Sequence, residues 1–354
     1  MMYKQIYASG SNYEIGLTHG KLAIDEIGGT IRHYRQKFQE LWQCDWNTIK
    51  EFSNTYYSVI QNSFPQYIEE MKGISDGSGF SFDDILAINC HYELARKGNL
   101  VEHSCSVIGV DSSRSDNGHT YLAENWDYSI PQRNNSVILH LTLPKNLKLC
   151  MLTEGGIIGR MGYNNYGIGY CGNTMKNDFV GAKLPLHMIK RGILEQSSLQ
   201  EIYTFVNQYA AGSSYNLMVE SASDGGMDFE VDYAQISALQ PDQGLLLHTN
   251  HFLSKHLISN PAYIKYQKTE SVERYQGLRD ALFSLPRISF QDIKATLSSH
   301  SSDRMSICVH EDPSLPLEKQ WATIWSLIID LSELKMYVCK GNPCQNSYDE
   351  ITLD

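Results

Sequence analysis

The sequence predicts a layered α+β fold, and three observations carry that reading. The first hundred residues have helical periodicity, the pattern turns to strand alternation after Gly98, and the later helices come in pairs among many strands. One helix after each strand would have meant a doubly wound parallel sheet instead. The 354 residues suffice for one large or two medium domains, with no long Gly/Ser or Pro-rich linker, internal repeat or low-complexity tract.

Taken in order, Ser11-Asn12-Tyr13-Glu14 fits a capping box, and Ile15, Leu17, Leu22, Ala23, Ile27 and Ile31 follow at roughly helical spacing. A second helical stretch runs from about Trp46 to Gln61. Pro65 opens a third, with Tyr67, Ile68 and Met71, and Gly73 to Gly79 reads as a loop. Ser81-Phe82-Asp83-Asp84 caps a further helix. Strands are expected at Ser106–Val110 and His119–Ala123, joined at Asp116-Asn117-Gly118, which is a hairpin signal. Further strands are expected at Ser136–Leu143, Lys148–Thr153, Gly167–Gly172, Tyr215–Glu220, Met227–Val231 and Leu245–Thr249. Helix pairs fit Pro185–Tyr209 and the stretches Tyr263–Leu285 and Phe290–Ser299. Strands near Ser306–Val309, Ala322–Asp330 and Lys335–Cys339 close the chain.

Hydrophobic residues make up 42% and charged residues 19%, an ordinary globular profile. A formal net charge of −11 argues against a nucleic-acid or anionic-membrane surface. No apolar h-region follows the N-terminus and no apolar run is long enough for a membrane helix, so a cytoplasmic protein is expected. The eight cysteines show no C-x-x-C pair and no Cys/His zinc spacing, so neither a metal nor a cofactor is expected. Cys339 and Cys344 are close enough in sequence to pair, but scattered cysteines in a chain without an export signal are usually reduced.

Cys105 lies where the helical leader gives way to the first strand. A cut between Ser104 and Cys105 would create a cysteine with a free α-amine. The ordinary pKa of that amine, near ~8, lets it accept the thiol proton at neutral pH. For an isolated cysteine, a half-buried strand position is the plainer reading. Its context is Glu124-Asn125-Trp126-Asp127-Tyr128, which ends the second strand of the hairpin that Cys105 begins. In antiparallel pairing the end of strand two lies beside the start of strand one, so Asp127 approaches the Cys105 amine. Capping a turn is the alternative for Asp127.

These segments, with others in the same order, resemble the acyl-coenzyme A:isopenicillin-N acyltransferase family of N-terminal nucleophile enzymes. That family is related to penicillin V acylases and bile salt hydrolases. Met71 to Gly77 and Asp84 to Asn89 resemble its leader, Ser104-Cys105-Ser106 its cleavage site, and Asn125-Trp126-Asp127 its N-x-D element. Gly162-Tyr163-Asn164-Asn165-Tyr166-Gly167-Ile168-Gly169 resembles its strand–turn motif, and His248-Thr249-Asn250-His251-Phe252 its T-N-H element. Ser306-Ile307-Cys308 and Gly341-Asn342-Pro343-Cys344 resemble its C-terminal region.

The resemblance implies a four-layer αββα sandwich. It also implies a helical leader, residues 1–104, that becomes a bound small subunit after self-cleavage, and a catalytic core, residues 105–354. The leader's apolar positions favour its staying bound, at about 25 cal/mol for each Å2 kept from water. Cys105 would be the nucleophile, Asp127 would orient its amine or thiol, and Asn250 would donate to the oxyanion, worth roughly 3–4 kcal/mol of barrier. On turn statistics alone Asn250 reads as a turn residue. Asn164 would support the site from a neighbouring turn, although Tyr-Asn-Asn-Tyr-Gly by itself reads as a plain turn. Relatives carry an arginine near the Ser-Ile-Cys segment; here the nearest basic residues are Arg304 and His310, and Arg304 reads equally as the holder of that role from a shifted position or as an exposed loop residue. From its position alone, His103 reads as part of the flexible leader end, with a proton carrier in processing as the alternative.

The chain departs from the family in one respect: Ser104 stands where glycine usually precedes the nucleophile. The N→S shift needs a twisted peptide, so self-cleavage slower than after glycine, or none, is the expectation. The implied activity is that of an autoprocessing cysteine amidohydrolase or N-acyltransferase. It would act on a small N-acyl or acyl-thioester compound through a thioester acyl-enzyme, with acyl-CoA as one such substrate. A homo-oligomer stays open. Two rivals stay open too: a conventional hydrolase with an internal cysteine and a histidine base, and a binding protein that kept the fold and lost the chemistry.

Overall fold

The computed structural model describes residues 2–96, 104–175, 183–233, 235–258, 269–300 and 306–353. The chain opens with a strand, β1 (Lys4–Ser9), which the helical reading of the leader does not include. Seven helices follow: α1 (Asn12–Leu22), α2 (Ile24–Trp42), α3 (Trp46–Asn54), α4 (Tyr57–Ser63), α5 (Pro65–Ser78), α6 (Phe82–Asn89) and α7 (His91–Arg96). The capping boxes at Ser11/Glu14 and Ser81/Asp84 both form, fixing the starts of α1 and α6.

The Gly73–Gly79 stretch is not a loop. Helix α5 runs through Gly73 and Gly77 to Ser78, and Gly79 ends it in the left-handed conformation at φ 79°. The glycines serve close packing against α1. A Cβ at Gly16 would lie 1.9 Å from the Glu70 carbonyl oxygen, and one at Gly73 would lie 2.1 Å from that of Tyr13. Gly20 and Gly77 meet the facing backbone in the same way, at 2.4 Å each. Four glycines at four-residue spacing on two helices thus let the backbones touch.

The remaining elements are β2 (Ser104–Val110), β3 (Tyr121–Ser129), β4 (Ser136–Leu143), β5 (Leu147–Glu154), β6 (Met161–Asn164), β7 (Ile168–Cys171), α8 (Leu186–Leu194) and α9 (Leu199–Tyr209). Then come β8 (Tyr215–Ser221), β9 (Gly225–Val231), β10 (Ile236–Leu239), β11 (Leu245–His248), α10 (Lys255–Ile258), α11 (Thr269–Phe283), α12 (Phe290–Leu297), β12 (Trp321–Asp330), β13 (Lys335–Lys340) and β14 (Asp349–Thr352). The expected strand at Ser306–Val309 is absent. That segment is held instead by Cys308 N–H on Ser299 O and by reciprocal bonds of Val309 with Thr323.

Two sheets form. One has eight strands in the order β1-β4-β5-β6-β7-β8-β9-β10, the other six in the order β11-β2-β3-β12-β13-β14. They face each other through contacts of β2 and β3 with β7 and β8. Helices α1, α2 and α8 lie against the eight-stranded sheet. Helices α11 and α12 cover the far face of the six-stranded sheet through Ile108, Val110, Ala123, Leu278, Leu282, Ile293 and Leu297. The layers therefore run α–β–β–α, a four-layer sandwich. Strand β1 pairs in parallel with β4, Lys4 opposite Val137 through Ser9 opposite Thr142, so the N-terminal segment is built into the eight-stranded sheet. Among the described residues, no helix is long and apolar enough to cross a membrane.

Candidate active site

Strand alternation splits the surroundings of Cys105 between two faces. Cys105 and Val107 join the core between the sheets, whereas Ile108 and Val110 join the core under α11 and α12. Cross-strand pairing sets Cys105 opposite Trp126 and Ser104 opposite Asp127. The Cys105 thiol therefore shares its face with Trp126, and Asp127 shares the helix-covered face with Ser104 and Ser106. The expectation that Asp127 reaches the start of the first strand holds in register. It stands level with Ser104, however, on the face opposite the sulfur.

Asp127 is fully buried, and Thr323 Oγ1 donates to its Oδ1 at 2.6 Å. Thr323 stands directly opposite Asp127 in the β12–β3 register, which shifts by one residue between Thr323 and Trp325. Burial pushes the Asp127 carboxyl up to about 7, against the opposing pull of Arg274 and of the Thr323 and Ser104 hydroxyls.

Asn250 reaches Cys105 from the other side. Strand β11 pairs with β2 as far as His248 opposite Val107, and the chain continuing from it brings Asn250 level with Cys105. The Cys105 N–H donates to Asn250 Oδ1 at 2.9 Å, and Asn250 Nδ2 donates to Thr174 O at 3.0 Å. Its backbone N–H donates to Ser271 Oγ at 2.8 Å, which fixes the turn. The amide oxygen thus holds the Cys105 nitrogen, and Nδ2 carries a second hydrogen for a further acceptor.

Arg274 on α11 is the residue that sequence reasoning missed. Its Nη1 donates to Cys105 O at 2.7 Å and to Ser106 Oγ at 3.1 Å, and its Nη2 donates to Asn250 Oδ1 at 2.9 Å. One planar cation therefore ties the peptide carbonyl of Cys105 to the side chain that holds its nitrogen. A signal for it exists in the sequence: Ser271, Arg274, Leu278 and Leu282 fall on one helical face, and all four are buried. An arginine in the apolar phase of a helix has a partner inside.

On the thiol's own face lie charges that sequence reading also passed over. Glu124, two residues before Trp126, accepts the Gly172 N–H at 3.1 Å and is fully buried. Burial pushes its carboxyl up and pushes the Lys190 ammonium down, while the attraction between the two works against both shifts. Arg160 stacks over Trp126 at 4.1 Å and pairs with Glu154 at 2.6 Å. The thiol itself is 1% exposed. Burial first, then Glu124 and Asp127, push it up, and Arg274 and Arg160 pull the other way. The thiol is enclosed, and burial favours its neutral form.

Asn164 is placed elsewhere. Its Nδ2 donates to Leu194 O and Gln196 O at 3.0 and 2.8 Å, and its Oδ1 accepts the Tyr166 and Ile168 N–H groups. It ties the β6–β7 turn to the end of α8 and makes no hydrogen bond to Cys105, Asp127 or Asn250. Arg304 and His103 lie outside the described residues. No histidine among the described residues hydrogen-bonds the Cys105 thiol. His248 is held by Glu230 at 3.0 Å and His251 by Ser271 at 2.8 Å. A cleft of about 880 Å3 opens between α2 and the segment 318–321, but Cys105 does not line it. Tyr128, whose hydroxyl meets His33 and Lys37 of that cleft, stacks on Trp126 at 4.8 Å.

The chain is similar to three known proteins. The chain is 26% identical over 254 residues to the acyl-coenzyme A:6-aminopenicillanic-acid-acyltransferase 40 kDa form of Emericella nidulans, covering 71% of this chain and 70% of that one. It is 23% identical over 237 residues to the beta-alanyl-dopamine/carcinine hydrolase of Drosophila melanogaster, covering 59% of this chain and 58% of that one. Among solved structures, an N-acylethanolamine-hydrolyzing acid amidase ortholog of Caenorhabditis elegans aligns with a TM-score of 0.45 at 14% identity, over 64% of this chain and 93% of that one. The profile of one family matches residues 113–345, more than half of the sequence. The chain belongs to the acyl-coenzyme A:6-aminopenicillanic acid acyl-transferase family.

Proposed function

We propose that the chain cuts its own Ser104–Cys105 bond and then uses Cys105 as the nucleophile of acyl transfer from a small N-acyl compound or acyl thioester. The observation that carries this reading is the double hold on one residue: Asn250 Oδ1 on the Cys105 nitrogen and Arg274 on its carbonyl oxygen. A merely structural strand cysteine has no need of a buried asparagine and a buried arginine trained on its own peptide groups. Family membership and the acyl-transfer and hydrolase names of its relatives support the same class of reaction.

Self-cleavage begins when the thiol adds to the Ser104 carbonyl carbon. The C–N bond breaks, the nitrogen takes the thiol proton, and a thioester joins Ser104 to Cys105 Sγ. Water then cleaves the thioester, leaving a carboxylate on Ser104 and a free amine on Cys105. Asp127, level with Ser104 and titrating near neutrality, is the base for this step.

In turnover the new amine takes the thiol proton, sulfur attacks the substrate carbonyl, and the amine returns the proton to the leaving group. Asn250 Nδ2 donates to the oxyanion with its second hydrogen. Water or a second amine then displaces the acyl group and restores the thiol. Residues 1–104 stay bound as a small subunit because β1 is paired into the eight-stranded sheet. Among the described residues, no geometry supports the reading with an internal cysteine and a histidine base, since His248 and His251 are engaged elsewhere.

Mass spectrometry of the protein mixed with an N-acyl amide and quenched in acid tests the scheme. The added mass of the acyl group should sit on a peptide beginning with Cys105. An acyl group on another cysteine, or hydrolysis that persists in Cys105→Ala, would refute it.

A further inference from the structure

Away from Cys105, four soft ligands from separate stretches of chain converge. His300 lies three residues past α12, Cys308 and His310 lie on the segment before β12, and Cys344 lies in the turn after β13. One ligand atom of each falls within 4.8 Å of all the others. The closest pairs are His300 Nε2 to His310 Nε2 at 3.0 Å, His310 Nε2 to Cys344 Sγ at 3.2 Å and Cys308 Sγ to Cys344 Sγ at 3.5 Å. Cys308 Sγ and His310 Nε2 stand 3.9 Å apart.

Tetrahedral zinc with bonds of ~2.3 Å to sulfur and ~2.0–2.1 Å to nitrogen has edges of ~3.8 Å between sulfurs, ~3.6 Å between sulfur and nitrogen and ~3.3 Å between nitrogens. The four pairs scatter about those edges. We propose that His300, Cys308, His310 and Cys344 form a structural zinc site.

Two thiols and two imidazoles are the donor set that selects Zn2+ over the hard cations. The four ligands also close the site, leaving no open position for chemistry. Sequence reading excluded zinc because it sought short Cys/His pairs. Here only Cys308-x-His310 is local, and the fold delivers the other two. The neighbour that orients the set is Asn342, whose Nδ2 donates to Val309 O at 2.6 Å and lies 3.5 Å from Cys308 Sγ.

The site has a consequence for Asp127. The clamped segment contains Val309, whose N–H donates to Thr323 Oγ1 at 2.9 Å, and Thr323 Oγ1 in turn donates to Asp127. Ile307 O accepts Asn125 Nδ2 at 2.9 Å. Zinc would hold the segment that positions Asp127 and Asn125, which stand opposite Ser104 and Ser106.

The test is elemental analysis of the purified full-length protein, refolded with zinc and desalted. About one zinc per chain is expected in the wild type and in Cys105→Ala. At least a tenfold lower content is expected in Cys344→Ser and in His310→Ala. Reconstitution of the wild type with cobalt(II) should give a sulfur-to-cobalt charge-transfer band and strong tetrahedral d–d bands, a readout that needs no variant to fold. Substoichiometric zinc in the wild type, zinc retained in both variants, or octahedral cobalt bands would overturn the proposal. So would a wild-type mass about 2 Da short that maps to a Cys308–Cys344 disulfide.

Discussion

Replacing Asp127 with asparagine should stabilise the fold and slow its self-cleavage, and the stabilisation should depend on pH. Asp127 titrates at about 7 in the folded chain, against an ordinary value of 3.8, because burial penalises its ion. A carboxyl whose folded value is raised holds its proton more tightly folded than unfolded. Its effect on stability is therefore absent below the ordinary value, grows more unfavourable as pH rises to about 7, and is level above that. Each pH unit in that window costs about 1.4 kcal/mol, so the ion costs the fold roughly 4 kcal/mol at pH 8. Asparagine keeps an acceptor for Thr323 Oγ1 and removes the charge.

The assay is urea unfolding of Cys105→Ala beside Cys105→Ala/Asp127→Asn, so that both chains are uncut. The double variant should be more stable by roughly 2–4 kcal/mol at pH 8 and nearly equal at pH 4. An equal difference at every pH, or a double variant that is weaker at pH 8, would refute the argument that burial strains this carboxylate. With Cys105 present, Asp127→Asn should release the fragment beginning at Cys105 at least about tenfold more slowly, since a positioned base contributes that much or more.

Arg274→Gln should leave Cys105 O, Ser106 Oγ and Asn250 Oδ1 short of donors. Buried charge-assisted bonds are worth about 1.5–3 kcal/mol each, so unfolding free energy should fall by about 3 kcal/mol or more and fragment release should slow in parallel; urea unfolding and a gel time course check both. Gly73→Ala should force α1 away from α5, because its Cβ would meet the Tyr13 carbonyl oxygen at 2.1 Å and the Leu17 nitrogen at 2.7 Å. A loss of about 3 kcal/mol is expected. Gly79→Ala, where nothing lies within 4 Å of the added Cβ but φ is +79°, should cost only about 1 kcal/mol. Equal losses at the two glycines by thermal or urea unfolding would show that helix contact is not what requires Gly73.

What could be read from the sequence follows from which signals are local. Capping boxes at Ser11 and Ser81, the proline start of α5 and the alternation of β4 are encoded within a few residues, and each formed where expected. The fate of Gly73 and Gly77 was not local. Glycines that break a helix and glycines that let two helices touch look alike until the partner, here Gly16 and Gly20, is known. Strand β1 escaped because a single short strand before a long run of helices has its pairing partner, β4, more than a hundred residues away.

The same division governs the site. The hairpin placed Asp127 near the start of β2, but on the thiol-distal face, because the exact register decides which face each side chain takes. The position of Asn250 came from motif resemblance, and the structure adds which of its atoms holds Cys105. Arg274 and Lys190 come to Cys105 from helices distant in sequence, so no spacing linked them to it, and Glu124 sits in the hairpin itself, where register alone decides that it shares the thiol's face. Asn164, assigned to the site from its motif, is occupied in closing the turn between β6 and β7.

The most direct test is an intact-mass measurement of the purified, active wild type beside Cys105→Ala. Two chains are predicted for the wild type, one ending at Ser104 and one beginning at Cys105, and one full-length chain for the variant. An active wild type that retains the whole chain would contradict the account, because the Cys105 nitrogen would still be an amide and unable to take the thiol proton.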